Sequence, residues 1–230
     1  VAEAPGRIAR NLEAVRGRIA AAAARSGRDA DAVTLVAVTK TVGAEAVRTL
    51  YDLGVRAFGE SRVEKGLGEV RALGEPDAAW RFVGHLQRNK AADALAGFRR
   101  IDSVENPKLV SVLDAAAAKA GIDRVEILLE VNVSGEAAKY GVSPEEARPL
   151  LETAADAERI DVRGLMTMAP LVDDPEEARP VFAALRALRD ELRAESGLAL
   201  PELSMGMTND FEVAVEEGAT MVRVGSALFL

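Results

Sequence analysis

A chain of 230 residues, 49% hydrophobic and 29% charged, with 19 Gly and 9 Pro, has the composition of a folded globular protein and the length of one to two domains. Its 29 Lys and Arg against 37 Asp and Glu leave a formal charge of −8, a field that repels nucleic-acid backbones and anionic lipid. The absence of Cys and the single His, His85, exclude disulfides, thiolate catalysis, sulfur-ligated zinc and histidine-rich metal clusters, and no run approaches the roughly 20 apolar residues of a membrane span. The expectation is a cytoplasmic protein without a metal site, and in the absence of a heptad seam, a monomer.

Short β-branched runs alternate along the chain with longer segments of helical period, and no Ser- or Pro-rich linker interrupts them. A helical segment, Ile8 to Arg25, comes first. Strands are predicted at Thr34 to Thr39, Arg56 to Gly59, Arg81 to Gly84, Arg99 to Asp102, Val125 to Val131, Asp161 to Met166, Glu202 to Met205 and Thr220 to Val224. Helices are predicted between them at Ala44 to Leu53, Ser61 to Leu73, Asn89 to Ala96, Pro107 to Ala120, Pro144 to Ala157, Pro175 to Glu195 and Thr208 to Glu217. Asn106-Pro107, Ser143-Pro144 and Asp174-Pro175 put a capping side chain before a proline at the first helical position. Gly54, Gly121, Gly197 and Gly218 fall where a left-handed residue ends a helix.

Eight strands alternating with helices over short loops predict one α/β domain over residues 1–230: a closed (β/α)8 TIM barrel with an extra N-terminal helix. An open sheet of eight strands would be unusually wide and would carry a glycine fingerprint. No helix is predicted after the eighth strand, so the N-terminal helix is expected to cover the face that a last helix would fill.

In such a barrel the chemistry sits at the C-terminal ends of the strands. The first strand runs into Lys40, one of six lysines against 23 arginines. A lysine desolvated in an apolar barrel mouth supplies the neutral amine that forms an imine with an aldehyde, although a solvated strand-end lysine is the plainer reading. In Val222-Arg223-Val224-Gly225-Ser226, alternation separates Arg223 from the two valines and favours an inward arginine. Gly225 lets backbone amides approach an anion and Ser226 adds a hydroxyl, at the recurrent phosphate position of this fold; a tight turn beside an ion pair is the alternative. The segment Leu203 to Asp210 offers Ser204 as a phosphate donor, Met205 and Met207 for packing on a flat ring or filling core, and Thr208 as a helix cap. Glu60 reads equally as a rim charge. His85 is a weak candidate for a general base, since nothing in the sequence brings a Ser or Asp beside it. Arg99-Arg100 and the helix carrying Arg186, Arg189 and Arg193 read as solvated faces with acidic neighbours.

An imine-forming lysine on strand one and a phosphate cradle across strands seven and eight describe a site for a phosphorylated aldehyde, and pyridoxal 5'-phosphate (PLP) meets both demands. An Arg223 facing the pyridine nitrogen can only donate, which leaves that nitrogen unprotonated and the ring a weak electron sink, suited to mild chemistry or mere carriage. A lysine-imine aldolase acting on a sugar phosphate without a cofactor fits the same residues.

Seven blocks then carry a family resemblance: Val36-Ala37-Val38-Thr39-Lys40, Phe58-Gly59-Glu60-Ser61-Arg62-Val63, Phe82 to Lys90, Glu130-Val131-Asn132-Val133, Gly164 to Met168, Leu203 to Asp210 and Val222 to Ser226. In this order, from about Leu35 to Phe229, the chain resembles the pyridoxal phosphate homeostasis proteins of the YggS/PROSC type. The resemblance implies a fold-type III barrel like the N-terminal domain of alanine racemase, with the cofactor bound as an imine on Lys40. It implies a phosphate held around Ser204, Gly225 and Ser226, Arg223 near the pyridine nitrogen, and Met205 among the cofactor-binding residues.

The implied role is intracellular PLP (vitamin B6) homeostasis without established turnover, with PLP-dependent apoenzymes as candidate recipients. The alternative is a PLP-dependent amino-acid racemase-like enzyme. Two-base racemases need an acid or base on each face of the substrate carbon, and in the resembling racemases the second is a tyrosine supported by a further domain and a partner subunit. Here only Tyr51 and Tyr140 are available, and no sequence is expected to form that domain. The sequence departs from many family members at Ser61, where they carry Asn, and ends at Leu230, before their usual tail.

Overall fold

A computed structural model describes residues 5–136 and 139–230. Its eight parallel strands, β1 (Thr34–Val38), β2 (Ala57–Glu60), β3 (Ala79–Phe82), β4 (Arg100–Val104), β5 (Val125–Glu130), β6 (Ile160–Met166), β7 (Glu202–Ser204) and β8 (Met221–Val224), close into a barrel in sequence order. Around it run α1 (Pro5–Arg25), α2 (Ala44–Asp52), α3 (Val63–Leu73), α4 (Ala91–Ala94), α5 (Pro107–Lys119), α6 (Pro144–Ala155), α7 (Arg179–Ser196), α8 (Phe211–Glu216) and α9 (Ser226–Phe229). The expected (β/α)8 barrel is the observed one.

Strand alternation sorts the side chains into two layers. Phe58, Ile101, Ile127, Leu203 and Val222 point outward into the main core beneath the helices. Val36, Ala57, Leu128, Met166 and Met221 form a separate apolar cluster inside the lumen. The register puts Val36 beside Arg223, Gly59 beside Arg81, Arg81 beside Arg100, and Met166 beside Ser204, so these polar residues share the inner face.

Local chemistry explains the boundaries. Asn106 caps α5 by accepting from the Leu109 amide at 2.9 Å, and Ser143 with Glu146 forms a capping box on α6. Asp174 likewise opens a 3-10 turn, Pro175–Ala178, which precedes α7 rather than being part of it. Gly54, Gly121, Gly197 and Gly218 all take positive φ. The predicted helix at Asn89 shrinks to α4, because residues 88–90 form a 3-10 turn and Asn89 caps nothing. Thr208 is not the cap of α8 either: Asp210 Oδ1 accepts from the Met207 amide at 2.6 Å, and the helix starts at Phe211.

The strand boundaries shift most at β3, which runs two residues earlier than predicted. There Gly84 leaves the sheet pressed onto Ser61, whose backbone would lie 2.7 Å from any added Cβ. A short helix, α9, does follow β8, against expectation. The N-terminal helix nonetheless lies where predicted, packed against α2, α8 and α9. Asn11 of α1 donates to the Leu228 and Leu230 carbonyls at 3.3 and 3.0 Å, binding the C-terminal turn to it. Among the described residues no helix is long and apolar enough to cross a membrane.

Candidate cofactor site

A cavity of 560 Å³ opens at the C-terminal ends of the strands, within the size range of small-molecule sites. Lys40 reaches it from just beyond β1; Arg223, Gly225 and Ser226 reach it from β8 and the turn into α9. Because β1 pairs with β8 to close the barrel, residues 183 positions apart in sequence (223 less 40) share one wall. Thr208, Asn209, Met168, Met207 and Phe229 complete much of the lining.

Arg223 is 5% exposed and fixed by neutral acceptors: Nη1 donates to Ser204 Oγ at 2.7 Å and Nη2 to the Thr167 carbonyl at 2.8 Å. Burial pushes its pKa down, and the more distant carboxylates of Asp102, Glu130 and Asp210 push it back. Among the described residues neither Arg223 nor Lys40 is a member of a salt bridge, whereas most other basic side chains named here are. Gly225 sits so close to β1 that an added Cβ would meet the Val38 carbonyl at 3.3 Å, and Ser226 Oγ bonds Thr208 Oγ1 at 3.1 Å. The wall thus presents an amine, a buried donor fork, close backbone and two hydroxyls, a set matched to an aldehyde, a ring nitrogen and a phosphate.

Four of the six sequence-derived site residues therefore meet at one cavity, and two do not line it. Ser204 faces inward but lies beneath Arg223, its hydroxyl engaged with the guanidinium. Met205, one position on, points outward into the core and is fully buried. Its neighbour Met207 lines the cavity instead. Lys40 is exposed at the rim, the plainer of the two readings of a strand-end lysine.

Other expectations change as well. Glu60 is fully buried, not a rim charge. Arg99 is exposed, whereas Arg100 is partly exposed, on the inner face of the sheet, and pairs with Glu126 at 2.6 Å. Arg186 and Arg189 hold Glu217 and Asp190, the acidic neighbours expected, but only the Arg186 side chain is well exposed, that of Arg189 being largely covered. His85 does find an acid, Glu105, with Nδ1 2.9 Å from Oε1, and stacks on Tyr140 at 4.4 Å between ring centroids. It lies outside the main cavity, in a second groove of 440 Å³ lined by Arg62, Lys65 and Lys90 that shares Ser61 with the first.

Glu130, at the end of β5, is 3% exposed, and burial together with the nearby Glu105 pushes its carboxyl up to about 7, against the opposing pull of Arg223. Sequence reasoning passed over it because its inward direction depends on the strand register.

The fold and site define a (β/α)8 barrel with a small-molecule cavity at its C-terminal mouth, and the family model "Alanine racemase, N-terminal domain" matches residues 10–230. Two relatives named pyridoxal phosphate homeostasis protein agree over nearly their whole length. The one from Aquifex aeolicus is 43% identical, covering 97% of this chain and 96% of the relative; that from Pseudomonas aeruginosa is 39% identical, covering 96% and 94%. The solved structure of PipY from Synechococcus elongatus PCC7942 with PLP bound superposes with a TM-score of 0.84 at 34% identity, covering 97% of this chain and all of PipY. The chain belongs to the pyridoxal phosphate homeostasis protein family, within the alanine racemase N-terminal domain fold.

Proposed function

We propose that this protein binds PLP in the 560 Å³ cavity and serves intracellular PLP homeostasis, with Lys40 as the covalent attachment point. The observation that carries the reading is the meeting of Lys40 with Arg223, Gly225 and Ser226 on one cavity wall. Bound PLP supplies an aldehyde, whose carbonyl oxygen leaves as water when the Lys40 amine forms a C=N bond to its carbon.

The chain's own residues define the rest. Gly225 admits the phosphate close to the backbone, while the Ser226 and Thr208 hydroxyls donate to it. Arg223 donates from the cavity floor toward the ring nitrogen, and Ser204 enters the reading as the group that orients Arg223. A guanidinium keeps its protons, so the nitrogen opposite it stays unprotonated and the ring withdraws electrons weakly. That arrangement suits holding the cofactor and delivering it to apoenzymes better than turnover. Neither tyrosine lines the cavity as a racemase-like second base would: Tyr140 stacks on His85, and Tyr51 Oη is held by Asp77 at 2.5 Å. We further propose that residues 1–230 act as one domain and that the protein is a monomer in the cytoplasm; gel filtration would check the oligomeric state.

The test is the visible spectrum of the purified protein with added PLP, followed by borohydride reduction and peptide mapping. A single reduced adduct on Lys40 is the expected result. No adduct, or one spread over surface lysines, would refute the assignment.

A further inference from the structure

Behind Lys40, between the barrel wall and α3, lies an ionic cluster that the cavity does not expose: two buried carboxylates bridged by Lys65, which is partly exposed at the second groove. Glu60, at the end of β2, is fully buried, and Glu69 of α3 is 6% exposed. Lys65, one turn before Glu69, bridges them, with Nζ 2.9 Å from Glu60 Oε2 and hydrogen-bonded to Glu69 Oε1. The same ammonium donates to the Thr39 carbonyl at 3.0 Å, and the Thr39 hydroxyl donates to Glu69 Oε2 at 2.7 Å. The other oxygen of Glu60 accepts from the Ser61 and Arg62 amides at 2.7 and 3.2 Å, which fixes the entry to α3. From there the Arg62 guanidinium reaches the Lys40 carbonyl at 3.2 Å. Both carbonyls at the end of β1 are therefore gripped by cations that Glu60 organises.

Two carboxylates in one buried site are costly without the ammonium between them, and burial already pushes the Glu69 carboxyl up. The packing is built around the cluster. Gly66 of α3 passes over it so closely that an added Cβ would lie 2.9 Å from Glu60 Cγ and 2.4 Å from Phe98 Cζ. A fold needing only to join β2 to α3 has no use for two buried carboxylates there, since apolar groups of similar volume serve equally well or better.

The geometry points to Glu60, Lys65 and Glu69 as positioning residues for Lys40: they lock the Thr39-Lys40 backbone so that the Lys40 amine is presented to the cavity. This rests on the reading of Lys40 as the attachment point. None of the three touches the cavity's ligand space as Lys40 and Arg223 do, so their loss should slow covalent attachment without weakening the phosphate and ring contacts. Pyridoxine 5'-phosphate separates the two effects, because it carries the ring and phosphate but no aldehyde.

The experiment measures the rate of the imine absorption band after mixing PLP with Lys65→Met, Lys65→Arg and Glu69→Gln, beside the affinity of each for pyridoxine 5'-phosphate and its thermal unfolding. Lys65→Met should slow band formation by about tenfold or more while pyridoxine 5'-phosphate affinity stays within about twofold, and Lys65→Arg should recover most of the rate. Should Lys65→Met fail to fold, Glu69→Gln, which keeps the shape and the Thr39 contact, carries the comparison. Folded variants with the wild-type rate would overturn the inference, as would a rate and an affinity that fall in parallel. Mapping the wild-type adduct first keeps the two claims apart. An adduct away from Lys40 removes the functional reading and this inference together, whereas an adduct on Lys40 with unchanged rates removes the inference alone.

Discussion

Two arginines inside the barrel are almost equally buried, Arg81 at 6% and Arg223 at 5% exposure, yet they are held by opposite means. Arg81, in the lower half of the lumen, donates through Nε to both oxygens of Asp102 and through Nη2 to Glu202 at 2.6 Å. That contact runs from β3 to β7, strands that are not neighbours, and so crosses the lumen. Arg163 with Asp161 and Glu202, and Arg100 with Glu126, extend the network toward the N-terminal ends of the strands. At the mouth, Arg223 is fixed by a hydroxyl and a carbonyl, with no carboxylate in salt-bridge reach among the described residues. Charge at the lower end is consumed by the fold. At the upper end it is oriented by neutral groups, which leaves it without a salt-bridge partner among the described residues.

Breaking the lower network should give the largest effect. Asp102→Ala leaves the Arg81 charge buried with one partner fewer, and the expected loss is about 3–5 kcal/mol of stability by denaturant unfolding. PLP binding by the fraction that stays folded should persist.

Glu130 sharpens the contrast, as a carboxyl at the mouth that burial keeps protonated. Its pKa is pushed up to about 7, so the fold favours the neutral form. That stabilisation is complete below the ordinary carboxyl range near 4.5 and is lost as pH rises through 7. Glu130→Gln should therefore flatten the fall in stability between pH 5 and 8 and raise stability at pH 8, by on the order of 3 kcal/mol at most. An unchanged pH slope would show that Glu130 ionises freely.

Ser226→Ala, on an exposed residue, should lower PLP affinity by about tenfold through loss of a phosphate donor and leave stability within about 0.5 kcal/mol. Equilibrium titration and thermal unfolding would check both halves. Lys40→Ala should abolish the reducible adduct and barely move stability, again within about 0.5 kcal/mol, because the side chain is exposed. A large destabilisation would mean that Lys40 serves the fold.

The strand order and the residues on β1 and β8 were legible because period-2 alternation and the Gly225-Ser226 turn are local signals. The barrel closure that brings Lys40 and Arg223 to one cavity followed from counting eight strands that alternate with helices. That Ser204 lies under Arg223 and Met205 in the core was not legible, because adjacent residues point to opposite faces and only the register with β8 decides which one turns inward. The lumen charges were hidden for a related reason: Arg81, Arg100 and Glu202 look like rim residues until parallel pairing turns them toward each other. The burial of Glu60 was not legible because its partners Lys65 and Glu69 lie on the following helix, where such charges look like an ordinary solvated face.

The most direct test is a crystal structure of the protein soaked with PLP. The account predicts density continuous from Lys40 Nζ to the former aldehyde carbon, the phosphate against Gly225 and Ser226, and Arg223 still bonded to Ser204 while facing the ring nitrogen. A phosphate bound instead in the groove of Arg62, Lys65 and Lys90, or a ring not joined to Lys40, would contradict it.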